Sequence, residues 1–369
     1  MSYVPIKGGG QAIAGAATVT EFLRTEQALQ YPDAQPLDIQ TIQFQLRHLV
    51  DRVISEGGVY HPELAALSIK QSLGDTLEAA FSLRAWRSTR PRLSATPALD
   101  TSNMRVIRRI SAAFKDIPGG QMLGATPDYA LRLLRMELMK ESDATFQNYA
   151  KEWLKQSNYD TATPMSFPKV ISALRAEGLL PELETDRTAQ AFDITREPLI
   201  FPVSRSATLA TMARAETGSL LALAYSNMRG YGDVHPTVAE LRVGYVPIML
   251  PHAVTGELIE AGEVLVTECE VIAMYEAQGD AKPVFTLGYG ACLGHNEVKT
   301  ISMAILDRAL QKGLKDGPSN PSEDAEFVLL HIDGVDSMGF ASHYKMPHYV
   351  TFQSDLDRLR SAQQQEACT

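Results

Sequence analysis

Apolar residues in the first part of the chain recur at a helical period. Leu37, Ile39, Ile42, Phe44, Leu46, Leu49, Val50 and Val53 keep close to every third or fourth position. That spacing stacks side chains on one face of a helix. The helical pattern runs over 36–94, breaks at Gly57-Gly58, and restarts with Pro62 near a first turn after His61. An earlier helix over 10–30 is entered through Gly8, Gly9 and Gly10. Residues 102–114 and 128–158 also read as helical, on either side of the turn signal Asp116-Ile117-Pro118-Gly119-Gly120-Gln121. The stretch 155–200 is polar and irregular, with one helix expected at 166–177. Beyond it the character changes. Residues 238–250, 262–274 and 282–289 are rich in β-branched side chains between Gly and Pro punctuation and read as strands. Helices return at 295–313 and 351–364. The pattern predicts an α+β fold, mostly helical in its N-terminal half and mixing helix with antiparallel sheet in its C-terminal half. The expected division is a helical domain over 1–155, a variable linker or insertion over 156–197, and an α+β domain over 198–369.

Charge narrows the function classes. The chain has 369 residues and a formal net charge of −10, which disfavours nonspecific nucleic-acid binding, since that needs a basic face to displace counterions. Local anion sites remain open because the arginines cluster. Arg84, Arg87, Arg90 and Arg92 form one group, and Arg105, Arg108, Arg109 and Lys115 another. A solvated helix face is the plain reading of such runs, and a phosphate-rich ligand the sharper one. No apolar run approaches the ~20 residues that span a bilayer. The start lacks a basic segment followed by an apolar stretch, so no secretory signal is expected. Three scattered cysteines, Cys269, Cys292 and Cys368, argue against a disulfide framework and fit a reducing cytoplasm.

The strongest chemical signal lies in Ser342-His343-Tyr344-Lys345-Met346-Pro347-His348-Tyr349. Pro347 pushes Met346 away from helical geometry, so the segment reads as a turn or loop. Such a loop can aim both imidazoles at one point, and the H-x4-H gap suits a transition metal such as zinc. The plain alternative is one histidine bonding a local carbonyl and the other half exposed. Two ligands leave a zinc set incomplete; water, His331, Asp333 or another chain would supply the rest. Weaker signals accompany it. Lys7-Gly8-Gly9-Gly10 ahead of a helix, and Ser204-Arg205-Ser206 between a strand-like run and a helix, suit an anion but also describe ordinary helix entries. Arg229-Gly230-Tyr231-Gly232 and Gly288-Tyr289-Gly290 read as tight loops able to approach a ligand closely, or as plain turns. In Thr267-Glu268-Cys269-Glu270, strand alternation puts both carboxylates on one face. There they do acid–base work or stabilise a cation, or are simply solvated. No Ser-His-Asp elbow, dinucleotide fingerprint or Walker A motif is present.

In order, Lys7-Gly8-Gly9, Val50-Asp51-Arg52-Val53, Arg108-Arg109-Ile110-Ser111, Lys115 to Gln121, Ser204-Arg205-Ser206, Arg229 to Gly232, Thr267 to Glu270 and His343 to Tyr349 resemble the PhnI family, the I subunits of the carbon–phosphorus lyase complex. The resemblance runs from near residue 3 to about 360 and is weakest at 140–190. It implies a role in bacterial phosphonate breakdown. Together with subunits G, H and L, the family replaces the adenine of ATP by an alkylphosphonate, giving α-D-ribose 1-methylphosphonate 5-triphosphate. The subunit alone is associated with purine nucleosidase activity on ATP or GTP. The core assembly joins G, H, I and J, and an ATP-binding-cassette subunit docks on it. The iron–sulfur cluster belongs to subunit J, so none is expected in this chain. In the family, the histidines matching His343 and His348 bind Zn2+ at the interface with J. On this reading Lys7, Arg108, Arg109, Lys115 and Arg205 are candidates for binding substrate anions, with Mg2+ accompanying ATP. Glu268 or Glu270 would face the developing sugar cation. The competing readings are a zinc-holding scaffold with chemistry in the partners and, third, an independent metallohydrolase.

Overall fold

The computed structural model describes residues 9–156, 167–181, 191–231, 235–276 and 282–366. Helix α1 (Gly9–Gln30) buries no residue. Four short helices follow: α2 (Ile39–Gln45), α3 (Arg47–Gly57), α4 (Pro62–Gln71) and α5 (Thr76–Ser88). Their starts are written in the sequence. Asp38 and Asp75 accept from the first free N–H groups of α2 and α5, and His61 does so for α4 just ahead of Pro62. Helix α3 ends at Gly58, whose φ of 64° is the left-handed cap that glycine tolerates best. Of the apolar stripe read from the sequence, Ile42, Val50 and Val53 enter a cluster with Ile54, Ala65, Ile69 and Leu83, and Ile39 and Leu49 pack against it, whereas Leu37, Phe44 and Leu46 stay exposed.

Residues 105–110 depart from expectation. The helix predicted over 102–114 is a strand, β1 (Arg105–Ile110). A short run with β-branched residues does not separate helix from strand by period alone. Pairing with β2 (Thr237–Pro251) decides the matter, because it gives Arg108 and Arg109 acceptors on opposite faces of the sheet. The expected helix over 128–158 shrinks to α6 (Asp143–Gln156), preceded by a 3-10 turn at Met136–Lys140. Helix α7 (Val170–Ala176) lies inside the predicted 166–177.

Strands β3 (Leu258–Glu276) and β4 (Val284–Leu293) complete an antiparallel sheet in the order β1-β2-β3-β4. The helical N-terminal half and the sheet of the C-terminal half make the α+β fold. β1 comes from the N-terminal half but pairs as an edge strand of this sheet. Of the helices that follow, α8 (Arg205–Arg214), α9 (Thr217–Tyr225), α10 (Glu297–Asp316), α11 (Ala325–His331), α12 (Gly334–His343) and α13 (Tyr349–Glu366), α10 and α8 pack on the sheet, while α9 and α11 pack on helices and α12 lies against α5.

Gly288 and Gly290 are strand residues, not loop residues. A Cβ on Gly288 would lie 2.0 Å from the Ala304 carbonyl oxygen, and one on Gly290 2.3 Å from that of Thr300. The glycines therefore let α10 lie against the sheet. They serve packing. Gly232 and Lys7 fall outside the described residues, and so does Cys368. Cys269 and Cys292 are free and buried. No described helix is long and apolar enough to cross a membrane.

Candidate functional site

The two faces of the sheet differ in chemistry. The face toward α10 is apolar around Leu241, Cys269, Val271 and Ala304. The other face carries charge. Register sets Arg109 beside Arg242 on β1 and β2, Arg242 beside Glu268 and Glu240 beside Glu270 on β2 and β3, and Glu270 beside Tyr289 on β3 and β4. Since alternate residues share a face, six polar side chains converge there. Arg109, Glu240, Arg242, Glu268 and Glu270 are each exposed by 2% or less. Buried charges in such numbers stay ionised only when paired and hydrogen-bonded.

The pairing centres on Glu268. It accepts from Thr101 Oγ1 at 2.8 Å, Lys169 Nζ at 2.6 Å and Tyr289 Oη at 2.9 Å, and from the Arg242 guanidinium. Lys169, the residue before α7, also reaches Glu270 at 3.3 Å. This arrangement splits the two carboxylates. Burial works against ionisation of Glu268, but Lys169 and Arg242 pull it down to about 2. For Glu270 burial dominates; Lys169 lowers it and the charge of Glu268 raises it, and it ends at about 7. Neighbouring carboxyls driven apart in this way occur at acid–base sites and also in buried ion-pair networks. Burial, reinforced by Glu268, holds the Tyr289 phenol well above its ordinary value. The carboxylates do not open directly onto solvent. Thr101 and Tyr289, which hold Glu268, instead line a cavity of about 400 Å³.

The predicted anion residues are not brought together. Arg108 and Arg109 point to opposite faces. Arg108 binds Glu297 at 2.7 Å, Asp128 at 2.7 Å and the Leu123 carbonyl. Arg109 binds Glu240 and the carbonyls of Pro118 and Pro168, and its guanidinium stacks over Phe167. Both guanidiniums are spent on protein acceptors, so this arrangement leaves neither free for a polyphosphate. Lys115 is exposed and binds neither arginine's acceptors among the described residues. Arg205 forks onto Asp307 at 3.2 and 2.7 Å, and Ser204 caps α8 as an ordinary N-cap. The sequence reading missed Lys169, Arg242, Tyr289 and Thr101. One signal was available: Glu240-x-Arg242 repeats, on the partner strand, the alternation of Glu268-x-Glu270.

His343 ends α12 and His348 precedes α13, with the turn between them as expected. Their Nε2 atoms are 3.3 Å apart and the rings stand at 84°. Two imidazoles on one tetrahedral zinc, with Zn–N near 2.0–2.1 Å, would hold their nitrogens about 3.3–3.4 Å apart. His348 Nδ1 lies 2.6 Å from the Met346 carbonyl oxygen. If Nδ1–H donates there, the Nε2 lone pair is left bare, as a metal-binding histidine requires. Among the described residues no third His, Cys, Asp or Glu joins them. The ligands expected nearby lie elsewhere. Asp333 caps the opposite end of α12, about 15 Å along the helix axis, and binds Arg84. His331 Nδ1 is 2.6 Å from the Phe327 carbonyl oxygen.

Residues 2–366 match the family described as bacterial phosphonate metabolism protein (PhnI). The chain is 71% identical to a Stutzerimonas stutzeri protein described as a C-P lyase subunit, HtxH, over 98% of this chain and 96% of that one. It is 43% identical to the alpha-D-ribose 1-methylphosphonate 5-triphosphate synthase subunit PhnI of Escherichia coli K12, over 99% of each. Identity to the Rhizobium meliloti subunit of the same name is 39%, over 97% of this chain and 94% of that one. A match spanning nearly the whole length, at these identities, means that this chain belongs to the PhnI family of phosphonate metabolism proteins.

Proposed function

We propose that this chain is the ribosyl-transfer subunit of a carbon–phosphorus lyase complex, exchanging the adenine of ATP for an alkylphosphonate. Its partners on this reading are subunits G, H, J and L with an ATP-binding-cassette subunit. In the reaction a phosphonate oxygen forms a bond to the ribose anomeric carbon. The bond from that carbon to the purine nitrogen breaks, and the purine leaves with the electron pair and takes a proton. Charge builds on the sugar as the bonds exchange, so a fixed negative potential beside it lowers the barrier. The observation that carries the proposal is the split pair behind Thr101 and Tyr289. Glu268 remains ionised and holds the hydroxyls of Thr101 and Tyr289, two residues that line the cavity. Glu270 retains a proton up to about pH 7, a supply for the leaving base. Neither carboxylate lines the cavity: Glu268 acts through Thr101 and Tyr289, and Glu270 is joined to it by Lys169.

Release of adenine, followed chromatographically with ATP and methylphosphonate, tests the reading. The complete complex is expected to release adenine and form a ribose–phosphonate ester visible by phosphorus NMR. The chain alone is expected to release base from ATP or GTP. A chain that releases none, yet is required for assembly, would instead be a scaffold.

The histidine pair fits a shared metal. His343 and His348 would hold Zn2+, with the missing ligands supplied by a partner or water; zinc there would act as a Lewis acid toward bound oxygen. Exchanging both histidines for alanine is expected to remove about one zinc per chain from the purified complex, read by elemental analysis. Unchanged zinc content would place the metal elsewhere.

A further inference from the structure

The cavity beside Thr101 and Tyr289 has a second end. It is formed where α3, α5, α8 and β4 meet, and Arg87 and Arg214 line it with Ser55 and Cys292. We propose that this end is an oxyanion subsite, taking a phosphate or phosphonate group held by the guanidiniums of Arg87 and Arg214. The proposal rests on the reading of the chain as a subunit that handles a nucleotide and a phosphonate, and it names the residues that would grip the charge.

Two buried donors lack acceptors. The Nε atoms of Arg87 and Arg214 are shut off from solvent and make no hydrogen bond. A buried N–H without a partner costs about 1–3 kcal/mol, and a small turn of either guanidinium toward an anion in the cavity that both arginines line would supply one. An arginine presents its N–H groups in a fork that matches a tetrahedral oxyanion.

The local charge is unbalanced in the same sense. Arg52 pairs with Glu56 and Glu216. Arg84 and Arg214 share one carboxylate, Asp333, at 2.7 and 3.6 Å. Arg87 has no carboxylate within ion-pair distance among the described residues. Lys299 lies fully buried behind Ser55, with Nζ 2.7 Å from the serine hydroxyl. No described carboxylate lines the cavity. Burial, then the charges of Arg92 and Arg84, depress the Arg87 guanidinium, and burial followed by Arg84 does the same to Arg214. A bound anion would relieve both. The competing structural duty, neutralising the negative C-terminal end of α3, is already met by Arg84, which donates to the Glu56 carbonyl at 3.0 and 2.6 Å.

The geometry also orients a ligand. An anion held by the arginines would direct the attached sugar or alkyl group toward the hydroxyls of Thr101 and Tyr289 and the carboxylate behind them. Two sources supply the same chemistry: the phosphate chain of the nucleotide and the phosphonate.

Direct titration of the assembled complex distinguishes them, with methylphosphonate as one probe and inorganic triphosphate as the other. Arg87→Gln is expected to weaken one probe at least tenfold, and the probe affected identifies the source. Arg87→Lys should recover part of the loss. Among the described residues the Arg87 side chain has no hydrogen-bond or ion-pair partner, so this variant breaks no bond within them and should assemble; Arg214→Gln is read only where the complex remains intact. Equal affinity for both probes in wild type and Arg87→Gln overturns the subsite, and so does a wild-type complex that binds neither. If Arg87→Gln binds normally while wild type releases adenine, the subsite fails and the ribosyl-transfer reading stands. If Arg87 controls probe binding but the complex releases no adenine, the reverse holds.

Discussion

Glu268→Gln is expected to slow adenine release by the intact complex about 10²- to 10³-fold, while ATP affinity changes only a few-fold. Loss of one preorganised electrostatic contact to a charge that develops in the transition state has effects of that order. Glu268 supplies the contact through Thr101 Oγ1 and Tyr289 Oη, which it holds at 2.8 and 2.9 Å. Glutamine keeps the shape and removes the charge. A variant that releases adenine at the wild-type rate would exclude Glu268 from the reaction. The pair also sets a pH dependence. Glu270 is raised from 4.5 to about 7 in the folded chain, so the folded state holds a proton that the unfolded state has lost. Stability from this group is therefore present below about 4.5 and declines as pH rises through 7. Glu268, lowered to about 2, acts oppositely: its contribution is present above 4.5 and is lost as pH falls toward 2. Urea unfolding at pH 5 and pH 8 should show a decline in the wild type that Glu270→Gln removes. Identical slopes in the two proteins would mean that Glu270 does not hold that proton.

Arg109→Ala is expected to destabilise the chain by about 3–5 kcal/mol, the usual result of removing one partner from a buried ion pair. Glu240 would be left with its charge in a face exposed by 1%, retaining only the Val170 amide at 3.0 Å. The carbonyls of Pro118 and Pro168 would lose their donor as well. Replacing Arg109 and Glu240 together by methionine should recover part of the loss, but not all, because the Val170 N–H would then lack an acceptor. Affinity for ATP per folded complex should be unchanged. A normal denaturation midpoint with weakened ATP binding would return Arg109 to the role of anion ligand.

The exposed apolar side chains show where the fold expects company. Helices α1 and α6 bury none of their residues, yet Ile13, Leu23, Trp153 and Leu154 stand at least half exposed. Apolar groups gathered on otherwise polar helices are usual where a partner docks, as suits a family of complex subunits. The helical period gives these helices no core of their own to cover, so the sequence pattern alone does not tell a buried stripe from a docking stripe.

Local chemistry accounts for what could be read early. Asp38, Asp75, Pro62 and Gly58 specify helix ends through their own side chains and backbone preferences, and β-branched runs between turns specify β2, β3 and β4. The H-x4-H turn closes its imidazoles to 3.3 Å within one short segment, which sequence spacing can express. The sheet-face cluster is different. Thr101, Lys169, Arg242, Glu268 and Tyr289 come from separate elements, and only strand register and the packing of α7 make them neighbours. The same holds for Arg109, whose charge looks available in sequence and is consumed once β1 aligns with β2. Ion pairing depends on distance in space and on burial, neither of which is a property of position along the chain. Sequence by itself determined the family, the α+β class and the spacing of the histidine pair; the tertiary structure alone decided which charges, like those of Arg108 and Arg109, are spent on the fold.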